Sequence, residues 1–147
     1  MLSVTLHHVS LIVTDLDRAL DFYQRAFGLD RLARPPFKTP GVWLACGDIQ
    51  IHLVHNPAGS FRPVPTVDNN DWHFSFRTDN FYEVLDHLLA MGFRENVPVD
   101  DPWHIMVLRQ GLAGFPQLYV RDPDGNIIEV NGAPAEQPPL WPTTGTA

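Results

Sequence analysis

Three histidines and one glutamate carry the donor chemistry of this chain: His8, His52, His73 and Glu129. Imidazole nitrogen and carboxylate oxygen are the donors that hold divalent Zn, Fe, Ni or Mn. Their spacing follows an internal repeat. His8-Val9-Ser10 matches His73-Phe74-Ser75, and Gln50-Ile51-His52-Leu53 matches Ile127-Ile128-Glu129-Val130. A lone histidine on the polar face of a strand is more often solvated than a ligand. Four donor residues at equivalent places of a duplicated unit weigh against that ordinary role. His7, His55, His87 and His104 lack this agreement. His7 is expected toward the core or a sheet edge and His87 inside a helix, while His55 and His104 remain possible substrate contacts.

Strand parity puts the four on matching faces. In Leu6–Asp15, Val9, Leu11 and Val13 alternate with His8, Ser10 and Ile12. In Ile49–His55, Ile49, Ile51 and Leu53 take the core, leaving Gln50, His52 and Val54 opposite. In the last strand Ile128 and Val130 take the core, leaving Ile127, Glu129 and Asn131 opposite.

The elements that must position these residues repeat as well. Asp15 reads as a helix N-cap, Leu16, Leu20, Tyr23 and Phe27 as an apolar stripe widened by Ala19 and Phe22, and Gly28 as the stop. Leu29–Arg34, Val42–Cys46 and Ile49–His55 read as strands, the last two joined at Gly47-Asp48. In the second pass Asn80 takes the N-cap place. Phe81, Val84, Leu85, Leu88 and Leu89 form the stripe, and Phe93–Val99 reads as a strand. A hairpin turns at Asp122-Pro123-Asp124-Gly125. Residues 102–113 look additional, with a strand at His104–Arg109. The pattern predicts an α+β chain of two tandem βαβββ modules, residues 1–56 and 72–132. A linker joins them at 57–71, and a Pro-rich tail covers 133–147, which Leu140 and Trp141 would anchor.

Composition bounds the function. Hydrophobic residues make up 44% of 147, and formal net charge is −7 with no Lys/Arg cluster, which argues against a nucleic-acid partner. No apolar run is long enough to span a bilayer, and no signal peptide is visible. The single Cys46 fits a reducing compartment, so a cytoplasmic location is expected. Arg77, on the His73 face, and Arg109 are the candidates to meet an anionic substrate group; Arg121, beside the turn, reads as a surface charge. Phe37, Trp43, Trp103 and Phe115 are aromatic candidates for an apolar mouth, against the commoner role in a core.

The stretch Leu6-His7-His8-Val9-Ser10-Leu11-Ile12-Val13-Thr14-Asp15-Leu16, with Phe22-Tyr23 and Phe27-Gly28-Leu29, resembles the opening of the vicinal oxygen chelate superfamily. Val120–Asn131 is similar to its usual close. The group includes glyoxalase I, fosfomycin-resistance proteins, extradiol dioxygenases and bleomycin-resistance proteins. The resemblance implies modules whose mixed sheets curve into an open cup around a divalent metal (Zn, Ni, Fe or Mn), and commonly a homodimer. It maps ligands onto His8, His52, His73 and Glu129, with Glu129 also a catalytic base. Glyoxalase I usually has a carboxylate or glutamine at the place of His52, so the imidazole is a departure. His8, His73 and Glu129 alone match a two-histidine, one-carboxylate set. The expected activity is Lewis-acid catalysis on a small substrate with adjacent oxygens, of lyase or isomerase type. The alternatives are Fe(II) dioxygenation, thiol addition to an epoxide, and metal-free sequestration of a small ligand.

Overall fold

A computed structural model describes residues 2–60, 62 and 66–138; Leu140 and Trp141 lie outside them. The order is β1 (His8–Val13), α1 (Leu16–Phe27), β2 (Arg31–Leu32), β3 (Gly41–Cys46), β4 (Ile49–His55), β5 (His73–Arg77), α2 (Phe81–Met91), β6 (Met106–Leu108), β7 (Gln117–Arg121) and β8 (Ile127–Asn131). A short 3-10 turn covers Pro134–Glu136. The chain is α+β, with two four-stranded mixed sheets ordered β1-β4-β3-β2 and β5-β8-β7-β6. In each, the first strand runs parallel to the last and the remaining pairs are antiparallel. The βαβββ order therefore occurs twice. Contacts divide the chain into two units: Met1–Pro65 with Asp122–Asn126, and Thr66–Arg121 with Ile127–Ala147.

In the first unit Asp15 caps α1 by accepting from the Arg18 amide, and Gly28 ends it at φ 64°, a left-handed conformation that favours glycine. The buried side of α1 is Ala19, Phe22, Tyr23 and Ala26. Leu16, Leu20 and Phe27 flank it half-buried, so the stripe is rotated from the one expected. It packs on β3 and β4, which bury Val42, Leu44, Ile51 and Leu53, while β1 buries Leu11 and Val13. Strand β2 is two residues long rather than Leu29–Arg34: Pro35 and Pro36 follow and offer no amide donors, and Arg34 donates through its guanidinium to the Thr39 carbonyl (2.8 Å).

The turn Asp122–Asn126 is anchored in this unit. Buried Asp122 accepts from the Asp124 and Asn126 amides through Oδ1 (2.9 Å each), and from the Tyr23 hydroxyl (2.9 Å) and Asn126 Nδ2 (2.8 Å) through Oδ2. Burial raises the Asp122 pKa against the lowering effect of these donors, and burial followed by the Asp122 charge raises that of Tyr23. Asp124 accepts from the Thr14 amide and from Arg18, and Asn126 Nδ2 reaches the Ile12 carbonyl.

In the second unit α2 buries Phe81, Leu85 and Leu88. Asn80 makes no side-chain cap bond, contrary to expectation. Glu136 takes that role from the 3-10 turn: Oε1 accepts from the Phe81 amide (2.6 Å) and Oε2 from the Ala133 amide (2.9 Å). The strand expected at Phe93–Val99 is absent. Pro98 offers no amide donor, and only Arg94 pairs, in an isolated bridge to His104. The edge place belongs to β6, which pairs with β7 through Met106↔Tyr119 and Leu108↔Gln117. Residues 106–108 are thus the module's own edge strand, the counterpart of β2, and not an addition.

Candidate functional site

The pairing register confirms the repeat residue by residue. His8 pairs Gln50 and Ser10 pairs His52; His73 pairs Ile127 and Ser75 pairs Glu129. Each unit thus sets an imidazole on its first strand diagonally across from a donor residue on its last.

In the first unit that face carries a stack of three rings. Strand β3 places Trp43 opposite His52. The Trp43 and His52 rings lie 4.3 Å apart at 8°, and His52 and His8 4.2 Å apart at 14°. His52 is buried, and the Gln50 Oε1 sits 2.8 Å from its Nε2, so a neutral His52 carries its proton there. Burial lowers the His52 pKa first, helped by the positive charge of His8, His7 and Arg34. His7 is exposed at the start of the edge strand β1, the second of the two places expected for it, with Nδ1 2.9 Å from His8 Nδ1. A pocket of about 490 Å³, within the ordinary range for small-ligand sites, opens beside the stack. Its walls include His7, His8, Arg34, Phe37, Trp43 and His52.

In the second unit the equivalent face holds a fixed carboxylate. Glu129 is buried, and its Oε1 accepts from Gln117 Nε2 (2.8 Å) and Asn131 Nδ2 (3.2 Å). Its Oε2 lies 3.1 Å from His73 Nε2. His73 Nδ1 is 2.7 Å from the Asp71 carbonyl, which only accepts, so Nδ1 carries a proton. With Nδ1 protonated, Nε2 faces the carboxylate oxygen, and the contact is bridged by a proton, on Nε2 or on Glu129 Oε2, or by a metal ion. Tyr119 meets the His73 ring edge-on at 5.5 Å. Burial first, then the charge of Glu129, pushes the Tyr119 pKa up to about 12. Val67, Tyr119 and Ile127 form a buried cluster with Met106 and Leu108.

The donor types fit a divalent metal. A nitrogen and an oxygen 3.1 Å apart also suit two donors each about 2.1 Å from one ion, and a second ring nitrogen bonded to a backbone carbonyl is the usual support of a metal-bound histidine. The His8 and His52 rings are nearly parallel, so their in-plane lone pairs run side by side and do not converge. Within neither unit, among the described residues, do three or more His, Cys, Asp or Glu gather as a metal-holding group.

The arginines have definite places. Arg77 is exposed, donates to the Gly132 carbonyl (3.0 Å) and lies 4.4 Å over the Phe115 ring. Arg109 pairs with Glu95 through two 2.8 Å bonds. Arg121 is not a surface charge: it is buried and donates to the Asp100 and Asp101 carbonyls. His55 Nε2 lies 3.1 Å from the Thr14 carbonyl, His104 is buried, and His87 is exposed on α2. Sequence reasoning missed Arg34 and the Gln117–Asn131 clamp. The signal for the clamp was present, since the register of a hairpin turning at Asp122–Gly125 puts Gln117 opposite Asn131.

No helix among the described residues is long and apolar enough to cross a membrane. Residues 5–130 match the Glyoxalase/Bleomycin resistance protein/Dioxygenase superfamily. Glyoxylase I 4 of Arabidopsis thaliana is 30% identical over 128 residues, covering 86% of this chain and 69% of that protein. Glutathione transferase FosA of Serratia marcescens is 24% identical over 127 residues, covering 86% and 79%. Among solved structures, a bleomycin-binding protein complexed with bleomycin superposes with a TM-score of 0.64 at 20% identity, covering 89% of this chain and 99% of that one. The repeated register, the two mixed sheets and the match over residues 5–130 together place this chain in the glyoxalase/bleomycin resistance protein/dioxygenase superfamily.

Proposed function

We propose that this chain is a metal-dependent enzyme of lyase or isomerase type, acting on a small substrate with adjacent oxygens. The observation that supports the reading is the His73–Glu129 pair, whose ring nitrogen and carboxylate oxygen face each other at 3.1 Å, a separation that either a shared proton or a metal ion can bridge. His73, Glu129 and His8 are the proposed ligands. His52 is left out of the proposed set, because its ring is held flat between Trp43 and His8. A divalent ion bound there would supply Lewis acidity for charge developing on a substrate oxygen.

The chain's own residues do the rest. Gln117 and Asn131 hold Glu129 Oε1, which leaves Oε2, facing His73 Nε2, as the oxygen proposed to bind the ion or to take a proton. The Asp71 carbonyl fixes the His73 tautomer, so Nε2 is the donor atom. Arg77 is the proposed contact for an anionic substrate group from the second module; Arg109, already paired with Glu95, is the weaker candidate. A homodimer and a cytoplasmic location remain part of this proposal.

Metal titration of the protein stripped by chelator tests the reading. The expected result is saturable binding that His8→Ala or Glu129→Ala weakens at least tenfold, while His87→Ala leaves it intact. Equal occupancy in all three variants would remove this site. A second reading, metal-free binding of a small ligand, is favoured by the aromatic pocket of the first unit. Absence of any metal-induced rise in melting temperature would select it.

A further inference from the structure

We propose that the pocket of the first module takes a flat aromatic carboxylate, its ring on the wall of stacked rings and its carboxylate on Arg34. Five of the eight lining residues are aromatic or imidazole rings. His52 fixes Trp43 from one side, and the Phe37 ring leans toward Trp43 at 47° with centroids 5.9 Å apart. Such walls favour a planar π-system over a branched aliphatic one. A volume of about 490 Å³ accommodates one or two fused rings with room for water.

Aromatic faces by themselves would also attract a cation. The charges at this pocket point the other way. None of its lining residues is acidic, and Arg34 brings a permanent positive charge. The guanidinium lies 4.8 Å over the Phe37 ring and has five N–H donors. One of them is spent on the Thr39 carbonyl, and Nε is buried with no partner. Gly41 underlies this placement: a Cβ there would sit 2.7 Å from the Leu53 carbonyl oxygen and 3.0 Å from Arg34 Nη2. A planar carboxylate is the acceptor that matches a fork of unused guanidinium donors.

The inference rests on the proposed site at His8 only for the ligand's being the substrate; binding is testable apart from it. Calorimetric titration of the full chain in excess chelator compares 2-naphthoate with 2-naphthylmethanol and cyclohexanecarboxylate. The expected result is one 2-naphthoate per chain, bound at least tenfold tighter than either control. Arg34→Met should abolish the preference over the alcohol while leaving the alcohol's own affinity unchanged. Trp43→Leu should weaken 2-naphthoate at least tenfold. No saturable binding, equal affinity for acid and alcohol, or an unaltered preference in Arg34→Met would overturn the proposal. The wild-type comparison decides it even where Arg34→Met fails to fold. Because chelator is present throughout, loss of 2-naphthoate binding with metal binding intact rejects the pocket alone. Loss of metal binding with 2-naphthoate binding intact rejects the enzyme reading alone.

Discussion

The two modules share a pairing register and differ in what they build on it. On the first sheet, the face with His8 and His52 carries stacked rings beside an open pocket. On the second, the face with His73 and Glu129 carries a buried carboxylate locked by two amides, and Tyr119, paired opposite Glu129, belongs to a buried cluster with Val67 and Ile127. Backbone pairing therefore fixes where a functional side chain stands, while its neighbours decide what it does. His52 and Glu129 occupy equivalent places, yet one is held flat in a stack and the other is held by its edges. The first arrangement suits contact with a planar ligand; the second suits an oxygen that must point in one direction.

The two hairpin turns give the largest way to break this comparison. Asp48, in the first turn, is exposed, whereas Asp122, in the second, serves four donors in a buried setting. Asp122→Ala should cost about 3 kcal/mol or more, since buried donors left unpaired cost about 1–3 kcal/mol each. Asp48→Ala should stay within about 0.5 kcal/mol. Urea unfolding of both variants measures the contrast, and equal costs would mean the second turn is no more anchored than the first.

A smaller effect separates the two glutamines. Gln117→Leu removes the shorter of the two amide bonds to Glu129, so metal affinity should fall roughly tenfold, at the low end for residues that orient a ligand. Gln50→Leu, next to His52, should leave metal affinity within about twofold, against that same ligand-orienting range. The same metal titration reads both, and a larger loss for Gln50→Leu would move His52 into the ligand set.

The smallest effect belongs to the exposed Glu95–Arg109 pair. Hydrogen bonding to Arg109, followed by its charge, lowers the Glu95 pKa against desolvation. Its contribution is therefore present above the ordinary carboxylate range and lost as pH falls through the depressed value. Solvent exposure of both partners holds it to about 0.5 kcal/mol or less. Glu95→Gln should lower the melting temperature slightly at pH 7 and not at pH 2. A loss that persists at pH 2 would point to packing rather than charge.

Much of this was legible in the chain itself. Alternation in Leu6–Asp15 and Ile49–His55 set the inner and outer faces, and the repeat of His8 in His73 fixed the correspondence that the register bears out. Asp15 and Gly28 marked the ends of α1 because cap chemistry is local. What escaped depended on distant chain. Nothing near Asn80 signals that Glu136, far along the sequence, caps α2. Phe93, Val97 and Val99 alternate as a strand would, yet Pro98 offers no amide donor and the edge place belongs to Met106–Leu108. Arg121 looked like a turn-side charge, and only the carbonyls of Asp100 and Asp101 make its burial possible. The parallel rings of His8 and His52 likewise arise from Trp43, on a strand that parity alone does not bring into register.

Metal titration of Glu129→Ala beside His52→Phe tests the central contrast most directly. Phenylalanine preserves the flat ring between Trp43 and His8 but has no donor atom. The account predicts that Glu129→Ala loses at least tenfold in affinity for the divalent ion while His52→Phe binds as the unaltered chain does. Equal loss in the two variants would contradict it, because His52 would then be a ligand and the two modules would contribute alike.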